Sequence, residues 1–326
     1  MIITKTPLRI SIAGGGLDVP AWYTKHGGMW ISAAIDQYVY ITVYRTSFFP
    51  YIHLKYAENE TVKKVDDIKH DIIRETLRLY EIDNHIEIVS HSDIPSGTGL
   101  GSSGSFGVGL VKALSPDYSI ETIAETATYI QMDLLKHPIG KQDQYIAAYG
   151  GIYVFEVDIN GRVEANRLQT DYKTLNDHLV MFYTGVKRDA NEVLRSQWYH
   201  STTQGVSMQP DASTSVWEDI GKLGYMAKNA LENNDFFLYG KLMNEHWEEK
   251  KKTSPLMTNP KIDEWYNLAL ENGAIGGKLV GAGGGGFLLF VTNDREKLIN
   301  AMPIQHLPFR FSVEGTRILY EDKDIY

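Results

Sequence analysis

Ile94-Pro-Ser-Gly-Thr-Gly-Leu-Gly-Ser-Ser-Gly104 decides how this chain is read. Four glycines and four hydroxyl residues occupy its eleven positions. A β-type run, Ile86-Glu-Ile-Val-Ser90, precedes it, and a helix-like run from Ser105 to Leu114 follows. A glycine-rich turn that opens a helix aims backbone N–H groups at whatever stands before it, and the helix dipole favours an anion there. A polyphosphate is the natural occupant. The stretch is not a Walker A loop, because no lysine directly follows the glycines. Nor is it the dinucleotide fingerprint, which needs a first strand, its glycines and an acidic residue about 20 positions on.

The bulk numbers narrow the classes. The chain has 326 residues, 43% apolar and 22% charged, enough for one large domain or two ordinary ones with a real core. A formal charge of −9 argues against a nucleic-acid binder that lives on phosphate contacts. There is no cysteine, hence no disulfide, thiolate metal site or cysteine nucleophile. No apolar run approaches the roughly 20 residues of a membrane span. The N-terminal residues lack the basic and apolar regions of a signal peptide. The expectation is a cytoplasmic protein without nucleic-acid or membrane partners. Oligomeric state is not legible.

Residues 2–13 read as a strand ending in Ala13-Gly-Gly-Gly16, flanked by Arg9 and Asp18. Asp18 precedes Val19-Pro20, which is also a helix-cap context. Residues 38–45 alternate as a half-buried strand, and 51–56 read as another. Residues 66–80 read as a helix. A further helix starts at Ser119 and stops at Pro138; at about 100° per residue its Gln131 faces inward with Ile120, and Asp133 faces away. Residues 150–157 and 179–184 read as strands, 201–215 as a polar mobile loop, and 216–232 and 235–252 as helices. His246 and Trp247 read as packing residues. Asn259-Pro260 opens a helix that Gly273 closes. Then Gly277-Lys-Leu-Val-Gly-Ala-Gly-Gly-Gly-Gly286 sets five glycines in six positions between two apolar runs. Two short strand-like pieces, 308–313 and 316–320, end the pattern.

The glycine loop, the segment Thr6 to Asp18, the run Gly140-Lys-Gln-Asp-Gln-Tyr145 and the glycines after Gly277 resemble, in order, the motifs of the GHMP kinases. Leu17 stands where the nearest subfamily has threonine. The resemblance implies an α+β, two-domain GHMP kinase fold. A ribosomal protein S5 domain 2-like ATP-binding domain would span 1–175, and a ferredoxin-like C-terminal domain 176–326. It implies ATP and Mg²⁺. Pro95, Gly97, Gly99, Leu100, Gly101, Ser102, Ser103 and Gly104 would hold the nucleotide. Asp143 would accept the proton of the substrate hydroxyl, with Arg9 beside it. Asp18, Gly15, Gly16, Gly283 and Gly284 would meet the sugar, and Lys187 and Arg188 a phosphate on it. Ser103 and Gln131 would serve the metal; many members carry glutamate where Gln131 stands, so this site lacks that charge. The sequence looks most like the D-glycero-D-manno-heptose 7-phosphate kinases, which phosphorylate an anomeric hydroxyl on the route to nucleotide-activated heptose. The alternatives are a galactokinase- or fucokinase-like sugar 1-kinase, or a non-catalytic sensor that binds ATP and sugar.

Overall fold

The first 45 residues make a long hairpin. In the computed structural model, which describes residues 1–186, 190–202, 205–208 and 214–322, β1 (Ile2–Ala13) and β2 (Gly28–Arg45) pair antiparallel from Ile2↔Val43 to Ala13↔Ile31. Helix α1 (Pro20–His26) lies between them. β2 begins well before the alternating stretch 38–45. Residues 29–35 are all buried, so this half of the strand carries no alternation to read. β3 (Ile52–Lys55) and β4 (Asn59–Val62) form a hairpin, and β3 runs parallel to β5 (Ile86–Ser92), which pairs with β2. The expected helix 66–80 is a single 3₁₀ turn at Val65–Asp67 followed by α2 (Asp71–Leu79).

Helix α3 (Ser102–Leu114) lies across β1 and β2. Two hydroxyls fasten it there: Thr4 Oγ1 donates to the Gly109 carbonyl at 3.0 Å, and Ser105 Oγ to the Pro7 carbonyl at 2.8 Å. α4 (Ile120–Tyr129) is capped by Ser119, which accepts from the Thr122 N–H. It runs into a π-helical turn at Ile130–Leu134, a widening often found at functional positions. α5 (Gln142–Tyr149) follows and packs on α3 and α4. β6 (Ile152–Val157) adds to the first half of β2, and β7 (Val163–Arg167) to β6.

After α6 (Tyr172–His178) a second sheet begins with β8 (Leu179–Tyr183). α7 (Ala190–Trp198) comes next. Where the sequence reads as a loop, β9 (Tyr199–Thr202) and β10 (Gly205–Met208) pair as a hairpin; 203–204 and 209–213 lie outside the described residues. The long helices α8 (Thr214–Glu232) and α9 (Phe236–Lys251) pack on each other. α10 (Pro260–Glu271) is capped by Asn259, which accepts from Lys261 N–H and Ile262 N–H. β11 (Ala274–Leu279) and β12 (Phe287–Thr292) complete the order β11-β12-β8, and α11 (Arg295–Ala301) follows. Backbone bonds Tyr183 N–H to Gln305 O and Leu307 N–H to Met181 O line the outer edge of β8, where a ferredoxin-like sheet has its fourth strand. The strand expected over 308–313 is reduced to one bridge, Phe311 with Ile35. β13 (Arg317–Glu321) crosses back and pairs with β1. The result is the α+β, two-domain organisation that the motif order implies. Among the described residues no helix is long and apolar enough to cross a membrane.

Candidate active site

Between the two sheets lies a cavity of about 330 Å³. The glycine loop forms one wall. Gly101 takes the left-handed conformation (φ 74°) and leads into α3, whose first turn receives no side-chain cap. The leading N–H groups of a helix have no intrahelical acceptor, so they are available to an anion. Gly97, Gly99, Gly101, Ser102, Ser103 and Gly104 all line the cavity. Leu100 and Pro95 do not: Leu100 is buried in the core, and the Pro95 carbonyl accepts the Thr98 hydroxyl within the loop.

Arg9 reaches this loop from β1. Its backbone N–H bonds the Leu100 carbonyl at 3.0 Å, and its Nη1 donates to the Gly99 carbonyl at 2.5 Å. Its Nε donates to Asp143 Oδ1 at 2.7 Å. Arg9 is 5% exposed, so the pair stands in a partly dry setting where charge is worth more than in water. Asp143 sits in the first turn of α5 and closes on α3 at Gly104, where a Cβ would stand 2.5 Å from the Asp143 Cβ. Side-chain amide atoms of Gln142 and Gln144, on either side of Asp143, are buried without a protein partner among the described residues.

Asp18 is buried and is not the cap of α1; that position falls on Val19. Its Oδ1 accepts from the Gly16 N–H at 3.0 Å and its Oδ2 from the Gln142 N–H at 2.9 Å. It therefore ties the first glycine turn to the start of α5. Burial raises its carboxyl above the usual range, and the nearby Asp143 adds to this; the Gln142 and Gly16 N–H groups oppose it. Gly15 and Gly16 line the same cavity.

Gln131, 1% exposed, hangs from the π turn. Its Oε1 accepts from Ser103 Oγ at 3.1 Å, and its Nε2 donates to the Ala127 carbonyl. Asp133 is exposed. Among the described residues no cluster of three His, Asp or Glu could hold a metal. The donors here are a hydroxyl and an amide oxygen. They fit a magnesium ion whose charge is met by polyphosphate oxygens.

The third glycine run meets the glycine loop at Gly99. A Cβ on Gly281 would stand 2.6 Å from the Gly99 carbonyl oxygen, so the two backbones touch. Gly281 and Ala282 line the cavity. Gly283 and Gly284 do not; they turn behind it against Met257, whose carbonyl accepts the Gly284 N–H at 2.7 Å. Lys187 and Arg188 lie outside the described residues.

Two family models match, GHMP kinases N terminal domain over 65–151 and GHMP kinases C terminal over 227–306, together just over half of the chain. The chain belongs to the GHMP kinases. Its activity is accordingly phosphoryl transfer, and the family uses ATP as phosphate donor. It is 29% identical over 97% of its length to D-glycero-alpha-D-manno-heptose 7-phosphate kinase from Campylobacter jejuni, covering 98% of that protein. It is 23% identical over 99% of its length to galactokinase from Pyrococcus furiosus, covering 98% of it. The fold matches the crystal structure of a D-glycero-D-manno-heptose 1-phosphate kinase from Bacteroides thetaiotaomicron with a TM-score of 0.77, at 24% identity, covering 99% of this chain and 100% of that one.

This GHMP kinase also places in the cavity two lysines that the sequence reading passes over and a histidine, His246, that it reads as packing. Lys250 of α9 is buried; its Nζ donates to the Gly15 carbonyl at 3.1 Å and lies 4.8 Å from the Trp217 ring centroid. Lys278 of β11 is 4% exposed. His246, one turn before Lys250, is 3% exposed, and both its ring nitrogens lack a protein partner among the described residues. Burial lowers Lys250 to about 8, and the Asp18 carboxylate opposes that. Burial, then Lys250 and Arg9, lower Lys278 to about 7. Burial, then the two lysines, hold His246 well below the ordinary histidine range, so it is neutral. Gln197 of α7 donates to the Ala282 carbonyl at 3.0 Å and ties that helix to the third glycine run.

Proposed function

We propose that this kinase transfers the γ-phosphate of ATP to the anomeric hydroxyl of D-glycero-D-manno-heptose 7-phosphate, giving the 1,7-bisphosphate. Residues 1–175 would carry the nucleotide and 176–326 the second domain. The observation that carries the reading is the Arg9–Asp143 pair, set against the open first turn of α3 in one cavity. The first-turn amides of α3 and the Ser102 and Ser103 hydroxyls take the terminal phosphates. The anomeric oxygen attacks the γ-phosphorus, the bond to ADP breaks, and the hydroxyl proton passes to Asp143. Arg9 keeps that carboxylate aimed. Ser103 and Gln131 would hold Mg²⁺, which supplies charge neutralisation on the phosphates when bound. The rest of catalysis is positioning and fixed charge.

The heptose acceptor is supported by the relative from Campylobacter jejuni, matched over almost the full length of both chains. The test is ADP release from MgATP with a panel of hexoses, heptoses and their terminal phosphates. Turnover with heptose 7-phosphate is expected. Asp143→Asn should lower kcat by about 10²–10⁴-fold and leave ATP binding intact. Binding of ATP and sugar without any turnover would overturn the reading.

A further inference from the structure

The wall made by α9 and β11 has an excess of positive charge that phosphoryl transfer alone does not explain. Asp143 is matched by Arg9, and both Asp18 oxygens are held by backbone N–H groups. Lys278 has no carboxylate partner among the described residues, and Lys250 hydrogen-bonds the Gly15 carbonyl with the one carboxylate of Asp18 in electrostatic reach. Burying an ammonium is costly unless an anion meets it. Beside the lysines, His246 faces the cavity with two unpartnered ring nitrogens in an enclosed position. A neutral imidazole donates from one nitrogen, which suits an anionic oxygen.

The anion's source follows from position. The nucleotide phosphates have the first turn of α3. Lys250 instead bonds the Gly15 carbonyl, and a Cβ on Gly16 would stand 3.1 Å from its Nζ. It stands on the first glycine turn, beside Asp18. Lys278 lies within electrostatic reach of both Lys250 and Arg9, linking that turn to the catalytic pair.

We propose that Lys250, Lys278 and His246 form the pocket for the phosphate group that the acceptor already carries. This rests on the sugar-kinase reading above and adds the residues that select a phosphorylated acceptor. A phosphomonoester dianion there supplies counter-charge beyond the single Asp18 carboxylate near Lys250, and its oxygens accept from both ammonium groups and from the imidazole N–H. An unphosphorylated sugar would leave Lys278 buried without an anion and Lys250 with Asp18 alone, which is the stronger part of the discrimination.

The test uses the intact kinase, Lys250→Met and Lys278→Met. Methionine keeps the unbranched stem one atom shorter, without the charge, and suits a buried site, so melting temperatures should hold or rise. Steady-state kinetics are measured separately for ATP and for heptose 7-phosphate, and binding of inorganic phosphate is followed by calorimetry. Each variant is expected to raise the acceptor KM by about 10–100-fold, the loss of one charged hydrogen bond, with the KM for ATP changed less than about twofold. Phosphate binding should weaken in parallel. If the wild type refuses heptose 7-phosphate but uses another sugar phosphate with the same dependence on Lys250, the pocket stands and the heptose assignment falls. A KM for ATP that rises as much as the acceptor KM would assign the lysines to the nucleotide and overturn the proposal. So would efficient wild-type turnover of an unphosphorylated sugar that both variants retain.

Discussion

Arg9 and Asp143 lie 134 positions apart in sequence and meet at 2.7 Å, beside the glycine loop that Arg9 also bonds. The guanidinium spans two acceptors at once, the Asp143 carboxylate and the Gly99 carbonyl. Lysine carries the charge but not the fork. Arg9→Lys is expected to retain one contact and lower kcat by about 10²-fold, read by steady-state ADP release. Wild-type kcat in the variant would mean that charge alone, not the bridge to Gly99, places Asp143.

Gly104 is the contact point between α3 and α5. An alanine there sets its Cβ 2.5 Å from the Asp143 Cβ and 3.2 Å from the Gln144 nitrogen. Overpacking costs about 1–3 kcal/mol, partly offset by the roughly 1 kcal/mol that alanine gains over glycine within a helix. Gly104→Ala should therefore melt close to the wild type while losing at least about tenfold in kcat, because the displaced element carries Asp143, the carboxylate proposed as the proton acceptor. Calorimetry beside kinetics separates the two effects. A large fall in melting temperature with normal kcat would show that α5 moves as a whole and keeps Asp143 in place.

Gln131 holds Ser103 through a neutral oxygen. Replacing it with glutamate puts a charge where the amide now sits. Gln131→Glu is expected to lower the Mg²⁺ concentration for half-maximal activity by about tenfold, since ligand charge count tunes cation affinity. It should also lower the melting temperature without the metal, because the buried carboxylate is then unpaired. An unchanged Mg²⁺ titration would place the ion out of reach of this side chain.

The lysines give the fold a pH signature. Lys278 sits at about 7 and Lys250 at about 8 in the folded protein, against about 10.4 in an unfolded chain. Between these values the unfolded state binds more protons, so these groups make ligand-free stability rise with pH. Below about pH 7 the burden is complete. Lys278→Met removes its share. The variant should melt above the wild type at about pH 6.5, and the gap should narrow toward about pH 9. An equal gap at both pH values would mean that the ammonium is well solvated.

The parts of the cavity wall that are local in sequence are readable. The phosphate loop, the Asp143 run and the first glycine turn each declare themselves within a dozen residues, because glycine and hydroxyl spacing is itself the chemistry. Gln131 was placed by helical periodicity alone. What escaped has a common cause. A lysine in a helix among Glu248, Glu249 and Lys251 reads as solvated surface, and only the tertiary packing of α9 on Trp217 and Gly15 buries Lys250. Lys278 hides among glycines and apolar residues of β11; its charge in that setting was the available signal. The first half of β2 was missed because burial on both faces erases alternation. The turn at 65–67 and the lost strand at 308–313 are decided by neighbours, not by propensity.

β13 closes the open edge of β1, pairing Ile2 with Glu321. The strand that carries Arg9 is thus finished by residues translated after the whole second sheet. On the ribosome, the first sheet can assemble most of its strands early, yet one flank of its first strand stays bare until synthesis has passed Arg317. Splitting this kinase between its sheets would leave that flank exposed, ready to pair with another chain. The two halves therefore share one sheet, whose first strand is closed at Ile2–Lys5 by residues 317–321, while Arg9 takes its partners from the first half alone.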